Sequence, residues 1–345
     1  MTKIEWVQNP DGTQGKTWNP ITGCTKISPG CRNCYAERMA RRLAGRCGYP
    51  KAPNHFNVTL HPDRLDEPLR RKKPTTYFVC SMSDLFHEDV PLDSIHDVFA
   101  VMALAKQHTF QTLTKRPLRM LDVLSNARAD VNWIVRCELA RLGQDPVNIT
   151  WPLPNVWLGV TAENQATADE RIPLLLQTPS AVRFVSCEPL LGLMDLHQYL
   201  SLYQEADFVT VWTAIGGRRV PMTRPGFPGW HRHDGRKLDW VVTGGESGPG
   251  ARPMHPQWAR DIRDQCQTVR IPFFFKQWGA WVPGAHDRTG KMRNHGHFCA
   301  DGKWINQSHQ KDTEVFMSRV GKKRAGHLLD GQEWREFPHH ESPQG

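Results

Sequence analysis

Residues 109–124 read Thr109-Phe110-Gln111-Thr112-Leu113-Thr114-Lys115-Arg116-Pro117-Leu118-Arg119-Met120-Leu121-Asp122-Val123-Leu124. The first six mix β-branched, aromatic and aliphatic side chains, which suit a buried pleated strand. Pro117 then opens a helix-compatible run to Leu124, and a proline belongs in the first turn, where its missing N–H costs nothing. Two cations, Lys115 and Arg116, stand at the junction. Strand, short polar step, helix: the unit recurs in both directions. Upstream, Tyr77 to Cys80 predicts a strand and Asp93 to Lys106 a helix, with Asp93 or Ser94 near its cap. Downstream, strands are predicted at Asn155 to Val160, Val182 to Cys187, Asp239 to Thr243 and Ile271 to Phe275. Helices are predicted at Ala166 to Leu176 and Pro256 to Gln267, with a polar, helix-compatible insertion over 126–147.

Alternating units of this length imply parallel strands joined by helical crossovers. The expected fold is α/β, a partial (β/α) barrel of parallel strands over residues 1–280. A Gly-, Pro- and Arg-rich insert is expected over 201–237, and an irregular, polar C-terminal extension over 281–345 whose last residues, HHESPQG, read as disordered. Polar residues follow each predicted strand: Ser83-Asp84, Lys115-Arg116, Thr161 with Glu163, Glu188, Glu246, and Lys276-Gln277. In such folds the C-terminal strand ends converge on the site. Glu188 and Glu246 are therefore candidate catalytic carboxylates, Glu188 because a charge directly after the apolar run FVSC is costly unless paired or functional.

A second signal lies near the start. Cys24, Cys31 and Cys34 are spaced C-x6-C-x2-C, among the turn formers Gly23, Pro29 and Gly30 and just before the helix-forming run YAERMARRLAG. A closed tetrahedral zinc site normally takes four protein ligands. Three thiolates without a fourth suit a cubane iron–sulfur cluster with one iron left open. A zinc knuckle completed by Cys47 or His55, or three plain thiols, remain the alternatives.

The chain has 345 residues, 39% hydrophobic and 23% charged, an ordinary balance for a globular protein. It contains no run of the roughly 20 apolar residues a membrane span needs. The first residues, MTKIEWVQNPDG, lack the apolar core of a secretory leader. Nine cysteines clustered only once fit a reducing cytoplasm better than a disulfide framework. The net charge of +9 is compatible with a nucleic-acid partner. Its dense runs are Arg70-Arg71-Lys72-Lys73, Arg38 with Arg41 and Arg42, and Lys322-Lys323-Arg324.

Over residues 18–195 the pattern resembles the radical S-adenosylmethionine superfamily, most closely its spore photoproduct lyase-like members. The resemblance rests on Gly23-Cys24, Gly30-Cys31 and Cys34-Tyr35-Ala36, then Ser83-Asp84, Thr114-Lys115 and Pro189-Leu190-Leu191. The gap between the first two cysteines is wider than is usual in that superfamily. The whole chain also resembles a phage- or prophage-encoded family of unassigned activity, through WNPITGC, SMSDLFHEDVP, LTKRP, GVTAENQ, SCEPLLG, GGESG and FFFKQWG.

The first resemblance implies a [4Fe–4S] cluster on Cys24, Cys31 and Cys34, with S-adenosyl-L-methionine chelated at the open iron. It implies cofactor contacts from Tyr35 to adenine, from Lys115 to the methionine carboxylate, and from Ser83, Asp84 and Thr161. It also implies an electron donor such as flavodoxin or ferredoxin, and, with the basic charge, a nucleic-acid base or nucleotide as substrate. The donor thiol of the photoproduct lyases does not carry over to Cys80, which is one residue out of place, and a shift of one turns a strand side chain to the other face. Two other readings use the same residues: a nucleic-acid-binding protein with structural zinc, and an inactive barrel serving as a partner subunit.

Overall fold

The computed structural model describes residues 4–200, 208–215, 218–225, 236–284, 295–299, 302–306 and 315–338. Seven strands form one parallel sheet: β1 (Lys16–Trp18), β2 (Thr76–Val79), β3 (Thr109–Thr114), β4 (Val156–Thr161), β5 (Val182–Cys187), β6 (Trp240–Gly244) and β7 (Phe273–Gln277). Their spatial order is their chain order, and the sheet curls into a half-barrel with β1 and β7 as its edges. Register runs across it as Val79↔Thr112, Thr112↔Leu158, Gly159↔Phe184, Val185↔Val241 and Val241↔Phe273. Five helices connect or follow these strands: α2 (Leu92–Leu104), α3 (Pro117–Asn126), α4 (Arg128–Arg141), α5 (Gln165–Gln177) and α6 (Pro256–Thr268). Helix α1 (Tyr35–Leu43) follows the cysteine loop.

Strand side chains alternate between two cores. Tyr77, Phe110, Leu158, Val185 and Phe275 face the helices in the larger core. The other parity turns inward, where Trp157, Phe184, Trp240 and Phe274 meet Trp6 and Val7 from the N-terminal segment and Phe337 from the far end of the chain. Trp6 lies 5.0 Å from Phe78, 5.6 Å from Phe184 and 5.8 Å from Trp240, ring centre to ring centre. The floor of the half-barrel is thus an aromatic plug, and its polar residues are left to the C-terminal mouth.

Several expected boundaries move. The stretch 126–147 holds α4, whose Val131, Val135 and Leu139 pack into the helical core. The last strand begins two residues later than predicted, so Lys276 and Gln277 lie within it rather than beyond it. β1 was not read in the sequence. The 201–237 insert is described only in part, as an antiparallel hairpin of Phe208–Ile215 with Arg218–Pro225. Part of the 281–345 extension is an antiparallel sheet of Trp281–Pro283, Val315–Arg319, His295–Phe298 and Trp304–Asn306, in that order. The terminal HHESPQG lies outside the described residues. Among the described residues no helix is long and apolar enough to cross a membrane.

Candidate functional site

The cysteine loop is tied across the sheet's C-terminal mouth by main-chain bonds. Ile21 and Thr22 pair with Leu60 and Thr59. Gly23 N donates to Met82 O at 2.9 Å, and Cys24 N to Phe56 O at 3.0 Å. Gly23 has φ +89°, and a β-carbon there would strike the Asn57 carbonyl, so the first cysteine is presented by a step that needs glycine. Ser83, beyond β2, donates from Oγ to Gly23 O at 2.7 Å. Cys31 closes a 3-10 turn over Pro29–Cys31, and Cys34 immediately precedes α1. Cys34 packs beside Ala36, Ala40, Tyr49 and Met82.

The ends of β2 and β3 meet at a buried carboxylate. Asp84 accepts from Thr114 Oγ1 at 2.7 Å, Phe86 N at 3.1 Å, Lys115 N at 3.0 Å and Arg116 Nη1 at 3.2 Å. Arg116 also grips Glu88 with Nε, at 2.9 and 2.8 Å, and reaches Thr25 Oγ1 at 2.9 Å. Its Nη1 stands 3.6 Å from Cys24 Sγ. Burial and the nearby Asp84 push the Cys24 thiol up to about 11, and Arg116 acts in the opposite sense.

Beyond β4, Glu163 is fully buried and accepts from Ser28 Oγ of the cysteine loop at 2.7 Å. Arg171 Nη1 pairs with its other oxygen at 3.2 Å, and Lys115 Nζ lies 3.5 Å from Oε1. Gly30 packs so tightly on Glu163 that a β-carbon would overlap the carboxylate. Burial raises the Cys31 thiol, yet backbone hydrogen bonds from Ile27 and Ser28, with the charge of Lys115, hold it below its ordinary value.

On the opposite rim, the loop after β6 clasps the cysteine loop. Glu246 accepts from Arg252 Nη2 at 2.7 Å and Nε at 2.9 Å, from Arg252 N at 2.8 Å, and from Asn33 Nδ2 at 3.0 Å. Burial raises this carboxyl, but the bonds from Arg252 and Asn33 outweigh it and leave the group below the ordinary glutamate value. Glu188 faces Lys276, whose Nζ donates to both carboxylate oxygens at 3.0 and 2.8 Å. Burial lowers the Lys276 ammonium, and Glu188 with Glu5 more than restores it, so the lysine ends above its usual value. Lys276, Glu5, Lys322, His327 and Arg335 line a cavity of about 360 Å³ at the β7 side.

The strand-end candidates therefore gather around one mouth, but in distinct roles. Asp84 and Ser83 are spent on anchoring the loop and the β3 end. Tyr35 is the first residue of α1 and 38% exposed. Thr161 lies inward at the end of β4, its carbonyl accepting from Arg171 Nη1 at 2.8 Å. Lys115 is held by Glu163, Glu246 is saturated, and Glu188 retains 20% side-chain exposure beside Lys276. Cys80 and Cys187 are buried, and burial raises both thiols far above their ordinary value. Residues that reasoning from sequence did not assign a role are Arg116, Glu163, Asn33, Arg171 and Arg252. Arg116 and Glu163 stood in the strand-end pattern, and Asn33 lies between two of the cysteines.

A thiolate-ligated cluster fits the chemistry of this donor set: three thiols on one loop, with Arg116 beside Cys24 and Lys115 beside Cys31 to offset anionic charge. Among the described residues, no group of three or more His, Cys, Asp or Glu side chains is drawn together as a metal site; this holds for Cys24, Cys31 and Cys34 as it does for a zinc set with Cys47 or His55. The run Arg70–Lys73 precedes β2, and its charges are largely engaged: Arg70 pairs with Asp66, Lys73 with Asp11, and Arg71 donates to Thr75 Oγ1.

No curated protein and no solved structure matches the chain. A family model does match, over residues 1–338, and the chain belongs to the family it describes, the protein of unknown function (DUF5131).

Proposed function

We propose that the protein is a radical S-adenosylmethionine enzyme acting on a nucleic-acid base or nucleotide, with Cys24, Cys31 and Cys34 as the ligands of a [4Fe–4S] cluster. The observation that carries this reading is the position of the three-cysteine loop. It lies over the C-terminal mouth of a parallel half-barrel and is fastened there by residues from four strand ends: Ser83, Arg116, Glu163 and Glu246. When bound, such a cluster supplies the electron that cleaves the sulfonium of S-adenosylmethionine into methionine and a 5′-deoxyadenosyl radical.

The chain's own residues bind and orient. Lys115 offers a compact cation to the methionine carboxylate in place of its contact with Glu163. Asp84 fixes Lys115 and Arg116 by accepting from the main chain of one and the guanidinium of the other. Tyr35 presents an aromatic face beside the third cysteine for adenine. Glu188 and Lys276 keep a proton on Lys276 Nζ at the substrate side of the mouth, while Glu246 acts by position, locking Asn33 and hence the loop. The aromatic plug excludes water from below. Electrons would come from a small carrier such as flavodoxin or ferredoxin.

Anaerobic reconstitution with iron and sulfide tests this. The expected result is a brown protein that forms 5′-deoxyadenosine from S-adenosylmethionine under reducing conditions. Cys24→Ala, Cys31→Ala and Cys34→Ala should each lose iron, whereas Cys47→Ala, Cys266→Ala and Cys299→Ala should keep it. A colourless protein carrying zinc, or iron lost from Cys47→Ala, would overturn the ligand assignment.

A further inference from the structure

Most of the chain's excess charge is concentrated in one short segment. Residues 24–56 hold seven Lys and Arg (26, 32, 38, 41, 42, 46 and 51) against the single acid Glu37, so they carry +6 of the net +9. This is the segment that contains the cysteine loop and α1. Its only acid is already paired, Glu37 with Lys26 at 2.8 Å. Ala36 and Ala40 turn the inner side of α1 toward Tyr49 and Met82, and Arg41 and Arg42 are exposed on the outside, as are Arg32, Arg46 and Lys51 around it. Among the described residues none of these five forms an ion pair.

Attraction to the negative end of the helix explains cations in the last turn of α1, where Arg41 and Arg42 lie. It does not reach Arg32, before the helix, or Arg46 and Lys51, beyond it. A single-signed, unpaired strip of this kind raises the local concentration of a polyanion and is neutralised by its phosphates. The nine residues of α1 are about 14 Å long, the rise of about four nucleotides along one B-form strand.

We infer that the outer face of α1 with its flanking Arg32, Arg46 and Lys51 is a docking track for a nucleic-acid backbone that leads to the cysteine loop. The inference rests on the reading of the mouth as a site for a nucleic-acid substrate and names the surface that would present it. The run Arg70–Lys73, though denser in sequence, has Arg70 paired with Asp66 and Lys73 with Asp11, Arg71 is bonded to Thr75, and the run precedes β2, away from the C-terminal mouth, so it is not the track. Contacts of this kind position the substrate; they do not read bases.

The test uses the full chain and fluorescence anisotropy with single-stranded DNA, duplex DNA and RNA of equal length over a range of salt. Wild type should bind at least one of the three, with affinity falling steeply as salt rises. Arg41→Gln/Arg42→Gln/Arg46→Gln should weaken binding at least about tenfold and reduce the log–log salt slope by about three units. Arg70→Gln/Lys72→Gln/Lys73→Gln should leave both unchanged. Circular dichroism melts establish that the variants fold. Wild-type affinity in the α1 variant, an equal loss in the Arg70–Lys73 variant, or binding to phosphatidylserine vesicles in place of all three nucleic acids would each overturn the inference. 5′-Deoxyadenosine formation without nucleic acid, measured on the same α1 variant, separates this failure from failure of the radical reading. It should be unchanged.

Discussion

Gly159 and Phe184 are register partners on β4 and β5, and the phenyl ring fills the space a β-carbon on Gly159 would need. The ring is fully buried within the aromatic plug, so it has little room to give. Gly159→Ala should therefore destabilise the protein by about 1–3 kcal/mol through overpacking. Urea unfolding measures this, and a variant as stable as wild type would show that the ring can move. The same scale separates what residue type reveals from what it hides. Ser83, Asp84 and Lys115 were recognisable as strand-end polar residues, but nothing in their spacing revealed that Asp84 spends its carboxylate on Thr114, Phe86, Lys115 and Arg116. Phe86 is a local partner two residues on, but Thr114, Lys115 and Arg116 are 30 to 32 residues away and become neighbours only when two strand ends align.

At the scale of elements, the loop after β6 is a clasp. Its glutamate joins Arg252 within the loop to Asn33 between the second and third cysteines. Because Glu246 is depressed below the ordinary value of 4.5 in the folded chain, its contribution is fully present above that value. It fades as pH falls through the lower folded value. Glu246→Gln should accordingly cost about 1.5–3 kcal/mol at neutral pH, the range for hydrogen bonds to a charged group. That difference from wild type should shrink in acid. Urea unfolding across a pH series gives the answer, and a difference independent of pH would contradict the clasp. Strands β2 to β6 were legible because each concentrates β-branched, aromatic and aliphatic residues in a short run that suits a buried pleated strand. β1 was not: Lys-Thr-Trp is three residues long with two exposed, and only pairing with β2 makes it a strand. β7 was misplaced because Ile271 extends the apolar run backwards, whereas the sheet register with β6 starts at Phe273.

Across the whole molecule, a half-barrel leaves its inner face open between β1 and β7, and both ends of the chain are used to fill it. Trp6 and Phe337, far apart in sequence, converge on Trp240 and its neighbours. Trp6→Ala should cost about 3–5 kcal/mol, the range for removing a large buried aromatic. Trp133→Ala, at a side chain 67% exposed on α4, should change stability by no more than about 0.5 kcal/mol. Chemical denaturation of the two variants compares them directly, and equal effects would refute the plug. By itself the sequence determined the α/β class, the parallel order and the mouth at which polar residues gather, because these follow from local periodicity and from short connections. It also determined that three cysteines share one loop. Only the tertiary structure decided which carboxylates are spent as fasteners, Asp84, Glu163 and Glu246, and which one, Glu188, retains exposure beside a half-buried lysine. It likewise decided that, among the described residues, Arg41 and Arg42 of α1 form no ion pair, whereas Arg70 and Lys73 of the denser run do. Charge pairing and burial depend on neighbours brought together by folding across tens to hundreds of residues, and no local pattern encodes them.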